Sequence, residues 1–383
     1  MKRIHNVLVY TLLLLFLAGC IETQTSSLPT SEDLPSEAVR TQIDKERDYY
    51  PTDNWQTKSP AELGLNEDVL IELIQEVRHE DVYSMLLIKN GYLAEEYYKS
   101  IAFDNSRAPI NSIAKSITSS LIGIAIDQGY IEGIDQKASD FLSEILDQKD
   151  TRKHDWTIEH FLTMTDGLDW PEAAAWTDIM VPLESSDNWV EFIISRELVN
   201  DPGNQFNYNT GSSHLLSVIL ERAAGQSTKQ FADEHLFSPL GIGTMDYFWD
   251  IDPNGYYTGG YKMEMVPADL AKFGYLFLNG GRWDGVQIIP QDWVDASTTY
   301  HTTTELNEAG FGDYGYQWWV KTLQLETGEL IHSYYGSGAF GQKLIVIPHF
   351  DFVAVFTSSL PNDSYALYFE QITEQFLLRL FEE

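Results

Sequence analysis

In the stretch "PINSIAKSITSSLIGIAIDQGY", residues 109–130, a serine and a lysine stand three residues apart where a long helix begins. Three residues is nearly one helical turn, so Ser112 and Lys115 fall on one side, close enough to share a proton. The hydroxyl also sits near the positive end of the helix. A serine becomes a nucleophile when a base lies within hydrogen-bond reach and the local field favours the oxyanion that develops. The chemistry this pair predicts is acyl transfer. The competing reading makes Ser112 a first-turn cap and sends Lys115 snorkelling to water. Ser-x-x-Lys occurs once in the chain.

The residues that must position the pair favour the chemical reading. Ile113, Ile117, Leu121, Ile124 and Ala125 follow i, i+4 and i, i+3 steps, and Ile122 and Ile126 widen that face until the helix is apolar almost all round. Such a helix must be buried, with Gly129 as its stop signal. An ammonium in the first turn of a buried helix is costly unless it faces a polar cleft. Other schemes are absent: there is no G-x-S-x-G elbow, no H-E-x-x-H and no phosphate loop ending in Lys-Ser or Lys-Thr. His154 and His160 lack metal-ligand helical spacing and read as surface or structural residues. Neither a metal nor an organic cofactor is expected.

Composition narrows the partners. Lys plus Arg number 24 against 58 Asp plus Glu, a formal charge of -34, so the field of the protein repels phosphate backbones and excludes nucleic acid. With 383 residues and 43% hydrophobic content the chain can bury a large core. The N-terminus, "MKRIHNVLVYTLLLLFLAGC", has two early cations and an apolar run from Val7 to Leu17. It reads as a secretory signal, residues 1–20, too short for a membrane span. Its ending resembles the lipobox of bacterial lipoproteins, which implies cleavage before Cys20 and lipid attachment to that sulfur; an uncleaved anchor helix is the alternative. Cys20 is the only cysteine, so no disulfide is expected. Either way the folded part is expected outside the cytoplasm and held to a membrane. Ile21 beside the lipidated cysteine would, by analogy, favour an outer leaflet in a Gram-negative cell.

Residues 21–54 read as a flexible tether rich in Ser, Thr, Pro and Glu, and 55–383 as one folded unit. That unit opens with a helix carrying Val69, Leu70, Leu73, Ile74 and Val77 on one face, then a hairpin turning at Asn90-Gly91. From about 112 to 310 the pattern is mostly helical. Strand character returns in "YGYQWWVK", "LIHSYYGSG" and "QKLIVIPHFDFVAVFTSS", and a last helix carries Leu367, Ile372, Phe376 and Leu380. The expected class is α+β: an antiparallel sheet built from N- and C-terminal segments, flanked by helices, with an inserted, mostly helical subdomain. Trp170, Trp176 and Trp189 fall in its loop-rich part, either lining a cleft or packing in the core.

Five ordered phrases, "NSIAKSITSSLIGIAIDQGYI", "IEHFLTMTDGLDW", "DPGNQFNYNTGSSHLLSVILERAAG", "PADLAKFGYLFLNGGRWDGVQIIPQDWV" and "YYGSGAFGQKLIVIPHFDFVAVFTSS", resemble the blocks of the β-lactamase-related serine hydrolases. That superfamily includes class C β-lactamases, DD-peptidases, family VIII esterases and nylon-oligomer hydrolases. The resemblance covers nearly everything after residue 60 and implies a β-lactamase/transpeptidase-like fold. It implies Ser112 as nucleophile, Lys115 as its lysine and Tyr208 as the tyrosine that follows a Pro-Gly turn, with either Lys115 or Tyr208 as general base. The family's Tyr-x-Asn triplet ends here in Thr210, with Asn209 one place early, so either residue is a candidate for substrate contact. The inner strand departs further. Where the family has a Lys or His before Ser or Thr and Gly, this chain has Tyr334-Tyr335-Gly336-Ser337-Gly338. Tyr335 and Ser337 become the substrate-binding candidates there, and His332 and Lys343 are the nearest basic residues in sequence. The oxyanion donors implied are Ser112 N–H and Ala339 N–H, with Gly338 as the alternative to Ala339, at about 3 kcal/mol per donor in comparable sites.

The function so implied is a serine hydrolase cleaving an ester or amide through an acyl-enzyme on Ser112, nearest the esterase and nylon-oligomer branch. Its partners would be a small-molecule ester, amide or lactam and, through Cys20, a membrane. A DD-peptidase, penicillin-binding protein or β-lactamase is the second expectation. A lipid-anchored binding or sensor protein that kept the fold and lost turnover is the third.

Overall fold

The computed structural model describes residues 47–382, except 105, 305, 307–309, 362 and 363. The signal segment, Cys20 and most of the 21–54 tether lie outside the described residues. From Arg47 the chain is docked: Trp55 donates to Ala268 O at 3.0 Å, Tyr49 to Gly91 O at 2.8 Å, and Thr52 Oγ1 accepts from Trp283.

Helix α1 (Glu67–His79) starts where the Asn66 side chain accepts from Asp68 N and Val69 N, with acids in its first turn and Arg78 and His79 in its last, as the helix dipole favours. Val69, Leu70, Leu73 and Val77 are buried, while Ile74 is half-buried at the edge of that stripe. Strands β1 (Val82–Lys89) and β2 (Tyr92–Tyr98) form the expected hairpin, with Asn90 and Gly91 both at positive φ, +54° and +84°. After the short β3 (Ala108–Pro109) come α2 (Ala114–Asp127), α3 (Ile158–Leu162), α4 (Trp176–Glu184), α5 (Trp189–Ile194), α6 (Thr210–Ala224) and α7 (Thr228–Ala232). Strands β4 (Tyr247–Trp249) and β5 (Met263–Met265) join β3 in a three-stranded sheet. Next follow α8 (Pro267–Leu278), the ribbon β6 (Arg282–Trp283) and β7 (Val286–Gln287), and α9 (Gln291–Ser297).

The chain then returns to the main sheet with β8 (Asp313–Tyr314), β9 (Trp319–Gln324), β10 (Leu330–Gly338), β11 (Gln342–Ile347) and β12 (Phe352–Ser358), followed by α10 (Tyr365–Ile372), a π-helical turn (Thr373–Leu377) and a 3-10 turn (Arg379–Phe381). The order β2-β1-β12-β11-β10-β9-β8 is antiparallel throughout, so an N-terminal hairpin pairs with the last strand of a C-terminal meander. β12 is buried on both faces, which is why its first five residues, "FVAVF", read as an unbroken apolar run rather than an alternation. Helices α1 and α10 contribute to the core on one face. On the other, α8 packs so closely that a Cβ on Gly274 would come within 2.5 Å of Leu344. Within 112–310, α8 is thus the helix that lies on the sheet, whereas α2 and α6 pack against one another beside it.

Two local expectations differ. Ser112 lies in a 3-10 turn over Asn111–Ile113, and the α-helix proper starts at Ala114. Asn111 takes φ +47°, a left-handed conformation that turns the chain sharply into the helix. Leu367 is 45% exposed, because the face of α10 that packs on the sheet is Ala366, Phe369 and Ile372.

Candidate active site

The burial expected of α2 is met: every residue from Ala114 to Ala125 is buried. Three of its hydroxyls are satisfied inside the protein, whereas Ser119 Oγ has no hydrogen-bond partner among the described residues. Ser116 Oγ donates to Gln317 O, Thr118 Oγ1 to Gly259 O and Ser120 Oγ to Ser116 O, all at 2.7–2.8 Å. At the N-terminal end stands Lys115, 1% exposed, while Ser112 in front of it is half-buried and open on one side. Lys115 Nζ meets three oxygens: Ser112 Oγ at 3.0 Å, Thr210 Oγ1 at 2.9 Å and Gly260 O at 2.8 Å. Burial pushes its pKa down to about 8, against an opposing pull from the Glu172 carboxylate. At pH 7 about a tenth of the amine is then neutral, against well under a thousandth for an unperturbed lysine. Gly260 packs tightly here: a Cβ there would lie 3.2 Å from Nζ and 3.0 Å from Thr210 Cγ2.

Tyr208 completes the group. Its hydroxyl lies beside Ser112, and its ring faces Lys115 Nζ at 4.9 Å from the centroid. Burial holds the phenol well above its ordinary value, with Tyr314 and Glu172 adding to the shift, so Tyr208 is a neutral donor rather than a tyrosinate. The other face of the ring wall is Trp319, stacked at 5.9 Å and 19°.

The opposite side of Ser112 is the end of β10. β9 pairs with β10 only as far as Tyr335↔Trp319, whereas Gly336, Ser337 and Gly338 keep their partners on β11. The glycines let this end lie against the nucleophile turn: a Cβ on Gly336 would press on Ile113 at 3.0 Å, and one on Gly338 would meet Ile110 O at 2.4 Å. Asn111 Nδ2 donates to Ala339 O at 2.8 Å, and Gln342 Nε2 supports the same carbonyl at 3.2 Å. The turn that carries Ser112 and the turn that carries Ala339 are therefore joined by a direct hydrogen bond.

The remaining candidates divide. Thr210 reaches Lys115; Asn209 does not, because its Oδ1 caps α6 through Ser212 N and its Nδ2 faces Asp166. The Ser337 hydroxyl lies beside the Tyr365 hydroxyl at the start of α10. Tyr335 points into the sheet core, stacked on Trp319 and accepting from Gly312 N at 3.3 Å. Lys343 lies below that ring, its Nζ 4.2 Å from the Tyr335 centroid, and burial drives its pKa down to about 7. It therefore does not stand in for the family cation. His332 is buried on β10, its pKa lowered to about 4 by burial. His160 caps α3 through Thr157. Trp170 and Trp189 are buried, and Trp176 is 49% exposed.

Two participants were not anticipated from the sequence. Glu172 Oε1 accepts from Thr210 Oγ1 at 2.6 Å, and its Oε2 accepts from Thr210 N and Trp170 Nε1, both at 2.8 Å. Among 58 acidic residues nothing local marks it; only its neighbour Trp170, a ring whose N–H needs a buried acceptor, hinted at a partner. Asn111 carries a weak signal, as asparagine tolerates φ > 0 better than most residues.

Comparison with known proteins places the chain in a family. A family model described as Beta-lactamase matches residues 91–373. The chain is similar to the 6-aminohexanoate-dimer hydrolase of Paenarthrobacter ureafaciens, 23% identical over 327 residues that cover 79% of this chain and 80% of that one. Among solved structures, the octameric penicillin-binding protein homologue from Pyrococcus abyssi superposes with a TM-score of 0.62 at 19% identity, covering 84% of this chain and 78% of that one. EstCE1, a hydrolase with promiscuous acyltransferase activity, gives 0.63 at 16% identity, covering 84% and 98%. These structural likenesses show the fold. With the family model spanning most of the sequence, the chain belongs to the β-lactamase family, whose members are hydrolases.

Proposed function

We propose that the protein is a serine hydrolase that cleaves an ester or amide through an acyl-enzyme on Ser112, with Lys115 as the general base. The observation that carries this reading is Lys115 Nζ, buried and 3.0 Å from a half-open Ser112 Oγ. In the first half-reaction the Ser112 proton passes to neutral Lys115 and Oγ bonds the substrate carbonyl carbon. Charge on the carbonyl oxygen is held by Ser112 N–H and Ala339 N–H, each worth about 3 kcal/mol. Tyr208 hands its proton to the departing oxygen or nitrogen as that bond breaks, and is refilled from the Lys115 ammonium. Water then repeats the sequence: its proton goes to Lys115, its oxygen bonds the acyl carbon, and as the ester breaks Ser112 Oγ takes a proton from Tyr208, which is refilled from Lys115, so the neutral amine is restored.

The substrate side favours esters or amides with no carboxylate close to the scissile bond, as in the esterase and nylon-oligomer branch. Tyr335-Gly336-Ser337 occupies the stretch where a carboxylate-binding cation would stand, and Lys343 is buried under aromatic rings. The N-terminal signal supports a site of action outside the cytoplasm, on a lipid anchor at Cys20. Labelling with a fluorophosphonate, together with p-nitrophenyl acetate turnover, tests the scheme. Ser112→Ala should lose the label and at least about a thousandfold in rate; wild-type turnover in that variant would refute it.

A further inference from the structure

We infer that Glu172 is a positioning residue for the base: it commits the Thr210 proton, and so turns the Lys115 lone pair toward Ser112. This rests on the acyl-enzyme reading and adds a residue to it. The number of protons at the site decides where the lone pair goes. Thr210 Oγ1 has one proton, and Glu172 Oε1, 2.6 Å away, can only accept it. Toward Lys115 Nζ, at 2.9 Å, the hydroxyl is then only an acceptor, and Gly260 O at 2.8 Å is an acceptor by nature. A neutral amine has two hydrogens, and these two oxygens take both. What remains on Nζ is its lone pair, and the third neighbour is Ser112 Oγ, the atom that must be deprotonated. Without the carboxylate, Thr210 can turn its hydrogen to Nζ and occupy that lone pair.

Glu172 is itself fixed. Its Oε2 accepts from Thr210 N and Trp170 Nε1, so the carboxylate cannot swing away from the threonine, and it is buried. The titratable groups around it are Tyr208, Tyr261, Tyr314 and Tyr365, each pushed up by burial with Glu172 contributing, and the cation it acts on is Lys115. Its charge favours the ammonium, so removing the charge lets the Lys115 pKa fall further. Two effects with different signatures follow. The plateau rate drops because the lone pair loses its direction, and the acid limb of the pH profile moves to lower pH because less base is needed to free the amine.

The test is the pH dependence of kcat/KM for p-nitrophenyl acetate, with the rate of Ser112 labelling by a fluorophosphonate measured alongside. Glu172→Gln should lower the plateau about tenfold or more and shift the acid limb down by about half a pH unit or more. Thr210→Val should lower the plateau similarly, and Thr210→Ser, which restores the hydroxyl, should recover most of that loss. The Thr210 pair keeps the inference open to refutation if Glu172→Gln does not fold. A Glu172→Gln enzyme with an unmoved limb and a plateau within twofold of wild type overturns it, as does a Thr210→Val enzyme that matches Thr210→Ser. If the wild type takes no label on Ser112, the acyl-enzyme reading falls and this one with it; a labelled wild type with unresponsive variants removes this one alone.

Discussion

Lys115 and Tyr208 are both equipped to take a proton, and burial separates them by acting on groups of opposite charge type. Burial disfavours the charged form of each, so it pulls the lysine down to about 8 and pushes the phenol up beyond reach. At neutral pH the accessible base is the amine. The sign of the pH dependence follows: Lys115 must lose its proton, so kcat/KM should rise about tenfold per unit below pH 7 and level off above a midpoint near 8. A stopped assay over pH 5.5 to 9.5 reads this directly, and a flat profile would reject the amine as base. Tyr208→Phe should keep the limb and lower the plateau by a factor on the order of 100, since it removes a proton donor rather than the base. The pair at 112 and 115 was legible in sequence because both residues belong to one turn. Glu172 was not, because its link to Lys115 runs through Thr210, 38 residues further along the chain.

At the scale of elements, the site is the meeting of a turn before a helix and a hairpin between two strands. Asn111 holds both: its left-handed backbone sets Ser112 at the head of α2, and its side chain grips Ala339 O. Asn111→Gly keeps the backbone conformation available while deleting the side-chain bond, so it isolates the second role. Turnover should fall about tenfold, with the melting temperature changed by no more than a few degrees; an unchanged rate would show that Gln342 alone suffices to hold the loop. The long elements were readable because their periodicity is strong: α1, the Asn90-Gly91 hairpin and β10 to β12 lie where apolar spacing and turn residues put them. The exact start of α2 was not, since Ile113 satisfies the apolar pattern of the helix equally well from a 3-10 turn. Asn209 misled for a related reason. The triplet fixes which residues are adjacent, but the N-cap geometry of α6 turns Asn209 toward Ser212 and leaves Thr210 facing the lysine.

For the whole molecule, the sheet closes by pairing β1, from the N-terminal part, with β12, near the C-terminus, and the chain before β1 is tied across that seam. Arg47 makes a two-pronged contact with Asp351, at 2.6 and 2.8 Å, and a third bond to Asn279 Oδ1 at the end of α8. Both partners are nearly closed to water, at 4% and 6% side-chain exposure. No periodicity announces such a contact, because its members are 304 residues apart and each looks like an ordinary surface charge in a chain dense with them. Burial changes what its loss costs. An exposed pair contributes little, but Arg47→Met removes the two-pronged partner of the Asp351 carboxylate in a site that excludes solvent, a loss of up to about 3–5 kcal/mol. The melting temperature should therefore drop by several degrees, while kcat measured on the folded enzyme at 25 °C stays near wild type, since none of the three residues touches Ser112, Lys115 or Tyr208. Adding Asp351→Asn to Arg47→Met should recover much of the lost stability, because the amide needs no counter-ion and asparagine tolerates the φ of +50° found there. A double variant that melts no higher than Arg47→Met would mean that the clamp acts by packing alone, and that the charge of the carboxylate is not what makes the loss of Arg47 costly.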